Sequence, residues 1–228
     1  MKTLLCIETS SKNCSIAIIR INEKQNQPFL LGCSNNFSEE YSHSEQLTTI
    51  IKDMLTENKL SLEDIYAIGI SSGPGSYTGL RIGLSVAKGL CYSLNIPLIS
   101  ASTLLCMSYE VHKKYHKGLY CPMIDARRME VYTALYDGGL NNINLPNACI
   151  VDSNFLSDFL KKNKIYFFGD GSIKLKQVIN DVNAHFINDF YPSAKHMLDV
   201  VFDKYQSKDF ENIAYYEPDY LKDFHFKK

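Results

Sequence analysis

An excess of charge of either sign is the first thing this chain lacks. Its 24 Lys and Arg nearly balance 25 Asp and Glu, for a net charge of −1, so no global attraction to nucleic acid or to a membrane surface follows. C-x-x-C is also absent. The seven cysteines (Cys6, Cys14, Cys33, Cys91, Cys106, Cys121, Cys149) are odd in number, and most stand inside apolar runs, where a free thiol packs as a small hydrophobe. That argues against a disulfide framework and for a reducing, cytoplasmic setting. Neither a signal peptide nor a membrane span is legible, because Lys2 leads into a short strand-like run that polar residues end at once. H-E-x-x-H does not occur, and no motif marks a Ser/His/Asp or Cys/His set. What remains is ordinary globular composition, 45% hydrophobic and 21% charged over 228 residues. That is enough to bury a sizeable core in one large domain or two small ones.

The strongest local signal is Ser71-Ser72-Gly73-Pro74-Gly75-Ser76-Tyr77-Thr78-Gly79-Leu80-Arg81. The apolar run 65–70 before it reads as a buried strand. After it, Leu80, Gly83, Leu84, Ala87, Leu90, Cys91 and Leu94 recur at helical spacing. Strand, glycine turn and helix together aim backbone N–H groups and a positive dipole end at an anion. Gly73, Gly75, Ser76, Thr78, Gly79 and Arg81 are therefore candidate anion contacts. The same glycines equally suit close packing of a helix on a sheet, and spacing alone does not separate the two. Known motifs do not fit: no lysine follows Gly79 as in G-x-x-x-x-G-K-[ST], Thr78 stands where G-x-G-x-x-G needs glycine, and Pro74 and Thr78 flank Ser76 where a nucleophile elbow needs glycines.

In chain order, residues 3–7 and 14–20 read as a hairpin and 29–33 as a third strand. A capping box, Ser42 with Glu45, opens a helix to Asn58 whose apolar face carries Leu47, Ile50, Ile51, Met54 and Leu55. A strand follows the main helix at 96–100, and Ser102 opens a further helix to about His116. A second unit begins at Leu119, with two strands around an Asp125–Arg128 turn. After the Gly- and Asn-rich loop 137–147 come a strand at 148–152, a helix at 153–162, a strand at 165–168, a glycine turn at 169–172 and a helix to Asn180. A short strand at 185–187 and a helix over 193–205 end the unit. The second half thus repeats the first in pattern, though not residue by residue, and two such α/β halves are expected to face a cleft.

Ile7-Glu8-Thr9-Ser10, His43-Ser44-Glu45-Gln46-Leu47, Gly73-Pro74-Gly75-Ser76-Tyr77-Thr78-Gly79-Leu80-Arg81-Ile82-Gly83 and Ile124-Asp125-Ala126-Arg127 stand in order, followed by Glu217-Pro218-Asp219-Tyr220-Leu221. Together they resemble the TsaB (YeaZ) family of bacterial tRNA threonylcarbamoyladenosine biosynthesis proteins, over nearly the whole chain. The resemblance implies the actin/hsp70/sugar-kinase superfamily, with duplicated βββαβαβα (ribonuclease H-like) domains. These are expected at 1–102 and, smaller, at 103–212, with the tail 213–228 returning to the first. It further implies a non-catalytic subunit that pairs with the paralogue TsaD through first-domain helices. The ATPase TsaE would join the assembly, the isolated chain is left open between homodimer and monomer, tRNA is met indirectly, and ATP and metal sit on TsaD.

The residues bear on that implication. TsaD carries H-x-x-x-H just after the strand that matches 97–100, where this chain has Ala101-Ser102-Thr103-Leu104-Leu105-Cys106. His112 and His116 lie two to three turns later among lysines, and read as a solvated helix end rather than a metal pair. Phosphate-transferring relatives have Asp-x-Gly in the first hairpin; Ser10 stands here in place of that glycine, so no cofactor is expected on this chain. Glu8 reads as a hydrogen-bond acceptor in its turn, His43 as a local contact, and Asp125 with Arg127 as an internal ion pair. Lys222, Lys227 and Lys228 read as a solvated tail. The partner interface is expected at Leu47, Ile50, Met54, Gly79, Gly83 and Ala87, where small residues leave a smooth strip. A stand-alone actin-like ATPase or small-molecule kinase is the rival reading, and a glycoprotease-type peptidase the weakest.

Overall fold

β1 (Lys2–Glu8) and β2 (Asn13–Asn22) are apolar at consecutive positions, and almost every one is buried. A strand reads this way when both faces of its sheet are covered. The computed structural model describes residues 1–37 and 43–222, and its contacts separate two units. The first comprises Met1–Cys106 with Pro192–Pro218, and the second Met107–Tyr191 with the segment from Asp219.

The first unit continues with β3 (Gln27–Phe37), α1 (His43–Glu57), β4 (Ile65–Gly73), α2 (Tyr77–Leu94), β5 (Leu98–Ser102) and the start of α3 (Thr103–Lys114). Its sheet order is β3-β2-β1-β4-β5. β1 pairs antiparallel with β2, with Leu4 opposite Ile19 and Glu8 opposite Ser15, and parallel with β4. Leu5, Ile7, Ile16, Ile18, Ile68 and Ile70 form one core with Leu47, Ile51 and Leu55 of α1 and Leu84, Ala87 and Cys91 of α2. Side chains alternate along a strand, so Cys6 and Gly69 point to the other face. There a Cβ at Gly69 would come within 2.8 Å of Val201, on α6 (Leu198–Ser207).

The sequence pattern puts α6 in the second domain, within the limits 103–212. It is tied instead to the first sheet. Asn13 Nδ2 donates to Pro192 O at 2.9 Å, the Ala194 N–H donates to Ser15 Oγ at 3.0 Å, and Ser193 Oγ donates to Asn35 Oδ1 at 2.8 Å. Farther on, the Glu211 N–H donates to Leu98 O at 2.8 Å and its carboxylate accepts from the Ser100 hydroxyl. The returning segment therefore starts near 192 rather than at 213, and from Asp219 the chain clusters with the second unit.

The second unit holds β6 (Leu119–Asp125), β7 (Glu130–Tyr136), β8 (Asn142–Ile150), α4 (Ser157–Leu160), β9 (Ile165–Phe168), α5 (Ser172–Lys176) and β10 (Ala184–Ile187). Its order, β10-β9-β6-β7-β8, is the first sheet's order element for element, so the chain is a pair of actin-like α/β domains. β8 begins earlier than expected because Asp137 Oδ1 accepts from the N–H groups of Gly139 and Asn141, both at 2.8 Å. The hairpin therefore closes at once, with Tyr136 opposite Asn142. The helix expected over 153–162 shrinks to α4, because Leu156 sits in the left-handed region (φ 55°) just before it.

Candidate functional site

The glycine turn lies at the carboxyl end of β4, against the β1–β2 turn. Ser76 begins α2: its Oγ accepts from the Gly79 N–H at 3.2 Å, while its own N–H donates to Ser10 O at 2.6 Å. The Ser76 and Gly79 N–H groups are thus spent inside the unit. A Cβ at Gly75 would overlap Ser10 O and approach Ser10 Cβ to 2.6 Å; at Gly79 it would overlap Thr9 O, and at Gly83 Thr9 Oγ1. These glycines let α2 sit directly on the Thr9–Ser10 backbone. Gly73, at φ 103°, needs its missing side chain for the turn itself. Thr78 and Arg81 face outward, with the Arg81 guanidinium 4.1 Å from the centre of the Tyr77 ring.

Below this turn Glu8 is buried, accepting the Ser10 N–H at 2.6 Å. Burial pushes its carboxyl above the usual carboxylate range, against hydrogen bonds from Ser10, Ser71 and Thr9 that favour the charged form. His43 is also buried, and its Nε2 donates to Ser11 O at 2.8 Å, so the first residue of α1 pins the same turn. The expected cap Ser42 lies outside the described residues. Glu8 and His43 therefore take the roles that the sequence suggests for them, in one packed assembly.

In the second unit, Asp125 Oδ1 accepts the Arg127 backbone N–H and pairs with Lys174 Nζ, both at 2.6 Å. The ion pair expected between Asp125 and Arg127 is thus made by Lys174 instead. Lys222, expected in a solvated tail, pairs with Glu130; Lys227 and Lys228 lie outside the described residues. His112 Nδ1 is 3.0 Å from the Tyr120 hydroxyl and its ring meets His116 edge-on at 5.8 Å. Among the described residues no group of three or more His, Cys, Asp or Glu is placed to hold a metal.

The expected docking strip is turned inward. Leu47 and Ala87 are 0% exposed and Met54 5%, while Gly79 and Gly83 lie under the hairpin turn; only Ile50 is half-buried. The reason is register: Gly79, Gly83 and Ala87 share the helical face of Leu80 and Leu84, which the sheet claims. α2 presents Arg81, Ser85, Gly89 and Tyr92 outward instead. Tyr92 is 85% exposed, and nothing lies within 4 Å of a Cβ at Gly89. Between α1 and α2 runs a groove of about 330 Å³, with Ile51, Leu55, Val86 and Leu90 in its floor and Thr48 and Lys52 on its rim. Sequence reasoning misses Tyr92, although its position opposite Gly83 is readable from the helical period.

Fold and turn together define the class of protein: a pair of actin-like α/β domains, the first with its glycine turn closed by its own hairpin. A sequence model of the family described as TsaD: tRNA N6-adenosine threonylcarbamoyltransferase matches residues 39–224. The chain is 31% identical over 183 residues to the tRNA threonylcarbamoyladenosine biosynthesis protein TsaB of Bacillus subtilis, covering 79% of this chain and 76% of that one. To the Escherichia coli protein of the same name it is 35% identical over 140 residues, 61% of this chain and 57% of that one. YeaZ from Pseudomonas aeruginosa superposes with a TM-score of 0.76 at 22% identity, over 97% of this chain and all of that one. This chain belongs to the TsaB (YeaZ) family. Among the described residues no helix is long and apolar enough to cross a membrane.

Proposed function

We propose that this chain works in tRNA threonylcarbamoyladenosine biosynthesis as a non-catalytic scaffold that pairs with the TsaD paralogue and activates it. Family membership supports the pathway. The scaffold role rests on one observation: the Thr9–Ser10 backbone packs directly against the glycine turn and takes the Ser76 N–H. The outward faces of α1 and α2 and the groove between them supply the docking surface, with Tyr92 and Val86 rather than Gly83 and Ala87 as its contacts. TsaE joins the pair, and a second copy of this chain takes the same face when the paralogue is missing. ATP and metal belong to the partner.

Co-purification with the paralogue and mass measurement of the complex test the reading. A Val86→Glu/Tyr92→Ala double variant should lose the complex and, in a reconstituted reaction, the tRNA modification, while the free chain melts as before. An intact complex would remove this docking surface. Calorimetry of the chain alone with ATP and Mg²⁺ should show no micromolar binding; binding with turnover would establish the stand-alone ATPase or kinase instead.

A further inference from the structure

A second concavity opens at the amino-terminal end of the parallel strands, the end away from the glycine turn. Lys2 starts β1, Tyr66 stands near the start of β4 and Pro97 precedes β5; Tyr205, Lys208 and Phe210 come from α6 and the residues after it. Its volume is about 420 Å³, within the ~300–1,000 Å³ of small-ligand sites. It shares no lining residue with the α1–α2 groove.

The lining is aromatic and cationic. Tyr66 is 47% exposed and Phe210 39%, so both leave ring surface open to a ligand. Lys2 Nζ lies 5.5 Å from the centre of the Tyr205 ring, whose other neighbour Phe210 is tilted 46° at 6.1 Å. The one acid of the lining, Glu23, is held by the Met1 amine at 3.0 Å. Lys208 has no carboxylate partner among the described residues. At the rim Gln206 Nε2 donates to Asn26 Oδ1 at 2.9 Å, a bond that uses neither the Asn26 amide N–H groups nor the Gln206 carbonyl. A net charge of −1 over the chain therefore hides a local positive pole.

We propose that this cavity binds one unpaired nucleotide of a single-stranded RNA. The base stacks on Tyr66 and Phe210, its edge meets the Asn26 and Gln206 amides, and the adjoining phosphates meet Lys2 and Lys208. Open rings beside ammonium groups are how single strands are held without a groove to read. An acidic peptide would satisfy the lysines but leave the paired amide edge unused. The choice of RNA over DNA rests on the tRNA reading above; the test uses the chain without TsaD, so failure of the docking reading and failure of this one are separate results.

Fluorescence anisotropy of the full chain with a short labelled single-stranded RNA, and with the duplex of the same sequence, decides it. The single strand should bind more tightly than the duplex. Tyr66→Ala should weaken it by about 5- to 100-fold, the range of one missing stack, and Tyr66→Phe should restore it. Lys208→Glu should flatten the dependence of log affinity on log salt by about 0.7 for each phosphate that is no longer neutralised. Both side chains are at the surface, and matching melting curves confirm intact folds. Absence of binding, equal binding of the duplex, indifference to Tyr66→Ala, or displacement by an acidic aromatic peptide would each overturn the proposal.

Discussion

The two sheets run in the same order, but their hairpin tips are finished in opposite ways. At the first, Glu8 is buried beneath Thr9 and Ser10, and burial raises its carboxyl. At the second, Asp125 has a side chain 46% exposed and an ion-pair partner in Lys174. Both glycine turns are nonetheless closed by hairpin backbone: a Cβ at Gly79 would overlap Thr9 O, and one at Gly169 would overlap Met123 O. Closure is therefore a property of the repeated fold, and a fully buried carboxyl at the hairpin tip a property of the first unit alone. The helices follow the same division. α1 and α2 run 15 and 18 residues, while α4 and α5 run four and five. Only the first pair is long enough to bury one face and offer another.

The harshest way to break the comparison is to fill the closed turns. The atom that Gly79→Ala would strike is a backbone carbonyl, which cannot swing aside like a side-chain tip. We expect a loss of about 3 to 5 kcal/mol in urea unfolding, the scale of severe overpacking. Gly169→Ala should lose a comparable amount in the second unit, where φ of +100° adds backbone strain. A loss under about 1 kcal/mol at Gly79 would show that an open turn, with room for an anion, exists after all.

A gentler probe reads the dryness of the first tip. The native state holds the Glu8 proton to higher pH than the unfolded chain does. Its contribution to stability is thus complete below the usual Glu value of about 4.3 and declines as pH rises through the raised native value. Glu8→Gln keeps an acceptor for the Ser10 N–H and removes the charge. It should gain about 1 to 3 kcal/mol over the parent at neutral pH and nothing near pH 4. Asp125→Asn, in the wet tip, should show no such gain. Parallel stability curves for Glu8→Gln and the parent across pH would mean that Glu8 is solvated.

How far these features are legible in the sequence follows from what each depends on. The duplicated order is readable because buried strands and amphipathic helices announce themselves through period and turn residues. Glu8 and His43 can be placed correctly in role because each has few chemical options in its turn. The direction of the Gly79–Gly83–Ala87 strip is not readable. Small residues serve close approach to a sheet and to a partner helix equally, and only Thr9 overhead decides between them. Lys174 as the partner of Asp125, 49 positions away, and the return of α6 to the first sheet are long-range contacts that local pattern does not encode. Nor does it encode the pocket at Tyr66, whose walls come from five separate stretches of chain.

The smallest expected effect sharpens the same point with two glycines of one helix. Gly89 lies ten residues after Gly79 on α2, yet nothing lies within 4 Å of the Cβ it lacks. An alanine there meets no obstacle and gains the helix propensity that glycine forgoes. Gly89→Ala should therefore raise stability by about 0.5 to 1 kcal/mol, opposite in sign to Gly79→Ala. If α2 presents this face to the paralogue, the added methyl should also weaken the complex while the free chain melts higher. A variant that is more stable but pairs as before would keep the helix assignment and move the docking contact off Gly89, toward Tyr92 or the α1 rim. Loss of stability instead would mean that the outward face of α2 is already covered, and that the register separating the two glycines is wrong.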